Sequence, residues 1–260
     1  MSSFHTLDGV LDSEVGGFLC WPVFDRGVAE ERVCQLRGLG VEGVALGGRH
    51  AVGGLPILGK GHSAVVLRAL WRGLEVALKV RRTDADRVSM EREAGLLAHA
   101  NRWGVGPRLH CYSRDFLVME LVEGPYLGEW VEGHLGEGAL VRRVLAGVLG
   151  VARRLDLAGL DHGELNRVKR HFIVAPRGPR VIDFESASLQ RRPKNVTATT
   201  QSLFLNHRFA TTLAQAIPLP PRQALIEALR AYRRNPTEEA FQALLEVCGL
   251  ADYTPGFSLE

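Results

Sequence analysis

Long apolar runs are missing from this chain. No stretch approaches the roughly 20 residues that span a bilayer. The first residues also lack a basic segment followed by an apolar one, so neither a membrane span nor a secretory leader is expected. Cysteine is scarce, at 4 of 260 residues, and Cys20, Cys34, Cys111 and Cys248 show no Cys-x-x-Cys spacing. That argues against a zinc site and a disulfide framework and makes a reducing cytoplasm the expected compartment. Repeats and low-complexity tracts are absent too. What is present is a hydrophobic content of 46%, ample for a core, in a length that fits one or two domains. The net charge of +3 and the pI near 8.8 are mild, but the basic residues are unevenly placed.

The most informative stretch is 160–188. Two β-branched runs, 172–174 and 181–182, flank the Pro/Gly-rich turn 175–180, which predicts a hairpin. Glu164 precedes the first strand and Asp183 ends the second. The hairpin is expected to bring these carboxylates to one edge, close enough to share a metal-bound phosphate. That layout suits phosphoryl transfer if a nucleotide cradle lies upstream.

Upstream, Leu58-Gly59-Lys60-Gly61-His62-Ser63-Ala64-Val65-Val66 sits between apolar runs, and Val76-Ala77-Leu78-Lys79 follows. Together these resemble the Gly-rich loop and strand lysine of protein kinases. Gly59 and Gly61 lack side chains, so backbone N–H groups can approach phosphates. Ala64 stands where the third kinase glycine would be. Lys60, Ser63, Val66 and Ala77 complete the expected nucleotide-binding set on this side. An unpaired ammonium in the apolar run around Lys79 would be costly. Either Lys79 snorkels from an edge strand, or it pairs with a carboxylate and meets phosphates. Thr83 and Asp84 read as N-cap residues of a helix reaching about residue 101. Met90, Glu93, Leu97 and Ala100 share one stripe of it, so Glu93 is the expected partner, with Glu91 a surface charge. Met119-Glu120-Leu121-Val122-Glu123-Gly124 resembles a kinase hinge, where adenine bonds the backbone of Glu120 and Val122 with Met119 behind it.

Elsewhere the pattern is coarser. A short packing strand is expected at 18–24 and a helix at 25–39, stopped by Gly38 and Gly40. Residues 1–52 read as an accessory module, binding a partner or merely covering the sheet. Residues 53–124 read as a β-rich lobe and 125–260 as a helical one. Helices are expected at 127–135, 139–157, 200–216, 220–234 and 236–248, the last capped by Asn235 with Pro236 at its first position. Arg142, Arg143, Arg153 and Arg154 fall off the apolar face of the second of these helices.

In the kinase resemblance, the Asp-Phe-Glu at Asp183 stands where kinases carry Asp-Phe-Gly, implying a Mg²⁺ ligand. A turn-capping aspartate is the alternative. Glu164 stands at the catalytic carboxylate, facing the acceptor hydroxyl, or is structural. The usual second metal ligand is replaced by Lys169, and Asn166 is too early. By strand register His171 takes the position, as a metal or phosphate ligand or as an edge histidine bonded to a carboxylate. His162 is expected to prop the loop. No Ala-Pro-Glu follows Asp183, so the activation segment that shapes a peptide platform is reduced.

Between Arg142 and Lys194 there are 12 Arg/Lys against 5 Asp/Glu, an excess of 12 − 5 = 7. Such an excess suits a polyanionic substrate, or is simply a charged surface. The segments Leu-Gly-Lys-Gly-His-Ser, Ala-Leu-Lys-Val-Arg-Arg-Thr-Asp-Ala-Asp-Arg, His-Gly-Glu-Leu and Ile-Asp-Phe-Glu-Ser-Ala-Ser resemble a narrower group across about residues 30–205. This is the archaeal family of predicted serine/threonine protein kinases, atypical and related to the Rio lineage. The family includes an RNA kinase acting on a ribose 2′-hydroxyl of a uridine in the tRNA variable loop. The resemblance therefore implies an α+β, bilobal protein-kinase-like fold and an ATP- and Mg²⁺-dependent enzyme acting on tRNA. Arg81, Arg82, Lys169, Arg170, Arg191, Arg192 and Lys194 are the candidates for RNA phosphates. An atypical protein kinase, with Thr197, Thr199 or Thr200 as autophosphorylation sites, and a nucleotide-binding pseudokinase are the alternatives.

Overall fold

The computed structural model of the protein describes residues 3–253. The last residues of the expected 125–260 region, 254–260, lie outside that range, as do the first two of the chain. The fold is α+β, with an antiparallel sheet and helices. Among the described residues no helix is long and apolar enough to cross a membrane. The chain divides into two compact units: residues 1–98 with 107–121, and residues 99–106 with 122–260.

The first unit is built on strands β1 (His5–Thr6), β2 (Val41–Ala45), β3 (His50–Val52), β4 (Leu55–Ile57), β5 (Gly59–Lys60), β6 (Ala64–Trp71), β7 (Leu74–Arg81), β8 (Leu109–Tyr112) and β9 (Phe116–Glu120). The main sheet runs β1-β2-β6-β7-β9-β8, with β5 added to β6, while β3 and β4 form a separate hairpin. Alternation along a strand sends neighbouring side chains to opposite faces. On one face Val65, Leu67, Val76, Leu78, Val80, Phe116 and Val118 are buried in a core shared with Phe18, Leu19, Val33 and Leu36. Those last four belong to helices α1 (Gly16–Leu19) and α2 (Arg26–Leu39). Residues 3–52 thus supply two strands of the main sheet and part of its core. On the other face Ala64 and Leu117 pack with Met90 and Ala94, the latter on helix α3 (Glu91–Asn101).

Several expectations need correction. Residues 18–24 are not a strand: α1 takes the start and turns follow it. Gly38 lies inside α2, which Asp25 caps by accepting from the Val28 N–H and Gly40 ends at φ 80°. The helix expected from Thr83 begins only at Glu91. Main-chain N–H groups of Arg82 and Thr83 are taken by the carbonyls of Ser63 and Trp21, and the Thr83 hydroxyl donates to the Cys20 and Trp21 carbonyls.

The second unit is mainly helical. It contains α4 (Leu127–Glu132), α5 (Gly138–Leu157), α6 (Val168–His171), α7 (Asn195–Phe204), α8 (His207–Leu213), α9 (Arg222–Arg234) and α10 (Glu238–Val247). Between α6 and α7 lies the hairpin β10 (Phe172–Ala175) and β11 (Gly178–Val181), in register from Phe172 opposite Val181 to Ala175 opposite Gly178. Its turn is tighter than 175–180, and Ile182 falls outside the strand. The helix expected over 200–216 is two helices, separated at Leu205 and Asn206. Thr237 rather than Asn235 caps α10, because its hydroxyl accepts from the Ala240 N–H at 3.3 Å. Arg153 is also not at the surface. It is 7% exposed and donates to the Tyr232 hydroxyl at 2.9 Å and the Pro236 carbonyl at 2.8 Å.

Candidate active site

The first unit holds a buried ionic chain. Lys79 lies on β7, opposite Val66 on β6 and Leu117 on β9. Pairing also sets Ala77 beside Met119, so Val66, Ala77, Lys79 and Met119 share one sheet face by alternation. Lys79 is 5% exposed and its Nζ lies 2.6 Å from Glu93 Oε1. The other oxygen of Glu93 accepts from Arg87 Nη1 at 2.6 Å. A buried ammonium is tolerated only with a partner, and here one carboxylate serves two cations. Glu91 is exposed. Sequence reasoning missed Arg87, whose role depends on the non-helical path of 82–90. Its Nε and Nη2 are buried without a partner among the described residues.

The glycine hairpin is more ordered than an open phosphate cradle. Gly59 and Lys60 pair with Val66 and Val65, and the Gly61 N–H donates to the Ala64 carbonyl at 2.7 Å. The Lys60 ammonium sits 5.5 Å from the centre of the Trp21 ring. Ser63 is 3% exposed with its hydroxyl unpartnered. Glu120 lies at the end of β9, its N–H donating to the Arg108 carbonyl. Val122 begins the longer segment of the second unit.

The second unit holds the carboxylates. Gly163 adopts φ 91°, and a Cβ there would meet the Ser186 carbonyl at 2.6 Å, so a side chain is excluded from the approach of 186 to the 161–164 loop. Main-chain bonds between Asp161 and Ser188 in both directions fix the same approach. Glu164 is consequently held on both oxygens. Ser186 Oγ donates to Oε1 at 2.5 Å, and His171 Nε2 lies 3.2 Å from Oε2. The Glu164 side chain is still 33% exposed. Asp183 follows β11 with a positive φ of 67°, rare for a non-glycine residue. His162 is fully buried, and its ring nitrogen Nε2 faces the Ile182 carbonyl at 3.1 Å. Burial, reinforced by His171, pushes its pKa down to about 4 against the opposing pull of the Ile182 carbonyl, Asp183 and Glu164. A neutral imidazole there is a prop between the two carboxylate-bearing segments.

The donor set bears on a metal. Mg²⁺ takes one or two protein carboxylates and completes its shell with water and phosphate oxygens. Asp183 fits that role. His171 does not, since its Nε2 faces Glu164. Among the described residues no group of three or more His, Cys, Asp or Glu is arranged to hold a metal by itself.

The residues expected to meet RNA are divided. Arg81 is withdrawn: its Nε donates to Asp115 at 2.7 Å, in a node shared with Arg32 and Gln35. Burial would raise the Asp115 carboxyl, but the Gln35 amide and the two guanidiniums outweigh it and hold it below the usual carboxylate range. Arg82 grips Asp84 through two hydrogen bonds. Lys169 rests 5.0 Å from the Phe209 ring centre and 3.9 Å from Glu132. Arg191 Nε lies 2.7 Å from the buried Asp161. Arg192 donates to the Arg233 carbonyl at 2.6 Å. Arg170 and Lys194 are exposed. The threonines named as autophosphorylation sites are interior. Thr197, Thr199 and Thr200 are 9%, 0% and 0% exposed, and the Thr200 hydroxyl donates to the Val196 carbonyl.

A further cluster went unrecognised because it joins residues far apart in the chain. Asn195, 1% exposed, donates to Asp156 and to the Leu160 carbonyl and accepts from the His162 N–H. Asp156 also accepts from the Tyr232 hydroxyl at 2.9 Å. Burial raises the Asp156 carboxyl in spite of these bonds. Asn195 thereby anchors the start of the 162–164 loop.

No protein-family model matches the chain. It is 30% identical over 97 residues to the uncharacterized protein MJ1211 of Methanocaldococcus jannaschii, a match covering 37% of this chain and 81% of that protein. The chain belongs to the family of that archaeal protein.

Proposed function

We propose that the protein is an atypical kinase of protein-kinase-like fold that uses ATP and Mg²⁺ to phosphorylate RNA, with a ribose 2′-hydroxyl of tRNA as acceptor. The observation that carries the reading is the buried Lys79–Glu93 pair at 2.6 Å. It lies on the sheet face that also bears Val66, Ala77 and Met119, an apolar surface suited to a purine. Phosphoryl transfer asks a protein mainly for positioning and charge neutralisation. Lys79 supplies a fixed cation for the α- and β-phosphates, oriented by Glu93, which Arg87 holds from the other side. Asp183 would hold Mg²⁺, which when bound neutralises charge on the phosphates. Glu164 accepts the proton of the acceptor hydroxyl as the bond from its oxygen to the γ-phosphorus forms and the bond to ADP breaks. The hydrogen bond from Ser186 and the His171 ring nitrogen beside the other oxygen aim that carboxylate, and its partial exposure leaves room for an acceptor.

RNA is favoured over protein as acceptor by the excess of basic residues around 142–194 and by the reduced segment after Asp183. The buried threonines of α7 remove the self-phosphorylation sites that a protein kinase reading had suggested. The test is a γ-labelled ATP assay with bulk archaeal tRNA and a mixed protein extract in parallel, followed by digestion of the tRNA to nucleosides. Label on a ribose of tRNA is the expected result. Label only in protein would replace RNA by a protein acceptor, and label in neither would favour a nucleotide-binding pseudokinase or a small-molecule acceptor.

A further inference from the structure

The second unit contains an open cleft of about 520 Å³ that the carboxylate cluster does not use. One wall is the 161–166 loop, including Gly163 and Asn166. The others are α7 with the residue before it, Lys194, and the side of α9 that carries Ile226, Leu229, Arg230 and Arg233. Gly163 and Leu165, the chain neighbours of the proposed catalytic carboxylate Glu164, both line the cleft.

The charges on these walls are unbalanced. Lys194, Arg230 and Arg233 line the cleft and are exposed, and none forms an ion pair among the described residues. The acid on the wall, Asp161, is 1% exposed and already paired with Arg191 at 2.7 Å. The Arg192 guanidinium, bonded to the Arg233 carbonyl, adds a further cation near α9. The lining also includes exposed amides, Asn166 and Gln201, and half-buried apolar side chains, Leu205 and Ile226. Cations without counter-ions, amides and a modest apolar surface make a combination that fits a nucleic-acid strand. The cations take phosphates, the amides take base edges, and the apolar side chains take a base face. An acidic peptide would use the cations but leave the amide-and-apolar strip without a role.

We propose that this cleft seats the single-stranded RNA segment that presents the acceptor ribose to Glu164, with its backbone phosphates on Lys194, Arg230 and Arg233. The inference rests on the reading of the protein as an RNA kinase and adds the place where the substrate binds. Arg230 and Arg233 carry no motif signal in the sequence, since one turn of an exposed helix with two arginines is common.

The test uses the full chain with fluorescein-labelled bulk tRNA, titrated at several salt concentrations. R230E/R233E is compared with wild type and with R230K/R233K. Charge reversal at two phosphate contacts should weaken tRNA binding at least about tenfold, and the slope of log affinity against log salt should fall by about two. The lysine variant should keep most of the affinity and slope, and ATP binding should be the same in all three. Should R230E/R233E fail to fold by thermal melting, ultraviolet crosslinking of 4-thiouridine-containing RNA to the unaltered protein takes its place. Adducts are then expected within 161–166, 194–205 or 226–233. Unchanged affinity and slope in folded R230E/R233E, or adducts confined to other segments, would overturn this inference while the wild type still labels tRNA. A wild type that neither binds nor labels tRNA would overturn the RNA kinase reading itself.

Discussion

The two units treat charge in opposite ways. In the first, each carboxylate is buried between two cations: Lys79 and Arg87 share Glu93, and Arg32 and Arg81 share Asp115. In the second, Glu164 is aimed but partly open, and the nearby cleft carries Lys194, Arg230 and Arg233 with no acid paired to them among the described residues. Buried, paired groups cost desolvation and hold one geometry. Open, unbalanced groups cost little in the folded state and await a ligand that completes them. In the proposed kinase reading the first unit fixes a cation in place and the second receives an acceptor.

Substitutions can break that contrast at either end. The largest effect is expected from Glu164→Gln, which keeps the shape and the Ser186 contact but removes the proton acceptor. Phosphoryl transfer should fall by about 10²–10⁴-fold while the melting temperature stays near that of wild type, as a coupled labelling and thermal-melting comparison would show. Lys79→Met should lose both function and stability. It leaves Glu93 buried with one cation fewer, and urea denaturation should report a loss of about 3 kcal/mol or more. The double variant K79M/E93L should recover stability, because it removes both charges, yet remain inactive.

Next in size is a pH effect. His162 titrates at about 4 when folded and at its ordinary value of 6.5 when unfolded. The unfolded chain therefore binds the extra proton between these values, and stability rises with pH across the window. The contribution is fully present above pH 6.5 and is lost as pH falls toward 4. It is on the order of 3 kcal/mol. Urea titrations at several pH values in wild type and His162→Gln would reveal it as a steeper acid loss in wild type. Smallest is Asn195→Ala, which leaves the His162 N–H and the Leu160 carbonyl without their partner. A cost of about 1–3 kcal/mol is expected, with faster hydrogen exchange in 160–164 and no change in the first unit.

The parts legible in the sequence were those encoded over short distances. The stripe of Met90, Glu93, Leu97 and Ala100 names the buried carboxylate because a helix repeats every three to four residues. The hairpin of β10 and β11 is visible from its turn. What escaped was set by long-range partners. Thr83 and Asp84 have the chemistry of an N-cap, but Trp21 and Cys20 capture Thr83 and delay the helix. Arg81 looked like a surface cation until Asp115, 34 residues on, drew it inward. The Asp156–Asn195–Tyr232 network spans separations of 39 and 76 residues, which no local pattern announces.

The most direct test of the division between the units measures two quantities on the same variant. For Glu164→Gln, ATP affinity and transfer of labelled phosphate to tRNA would be determined side by side with wild type and Lys79→Met. Glu164→Gln is expected to bind ATP like wild type but to transfer phosphate about 10²–10⁴-fold more slowly, whereas Lys79→Met is impaired in both. Transfer by Glu164→Gln at the wild-type rate would contradict this account.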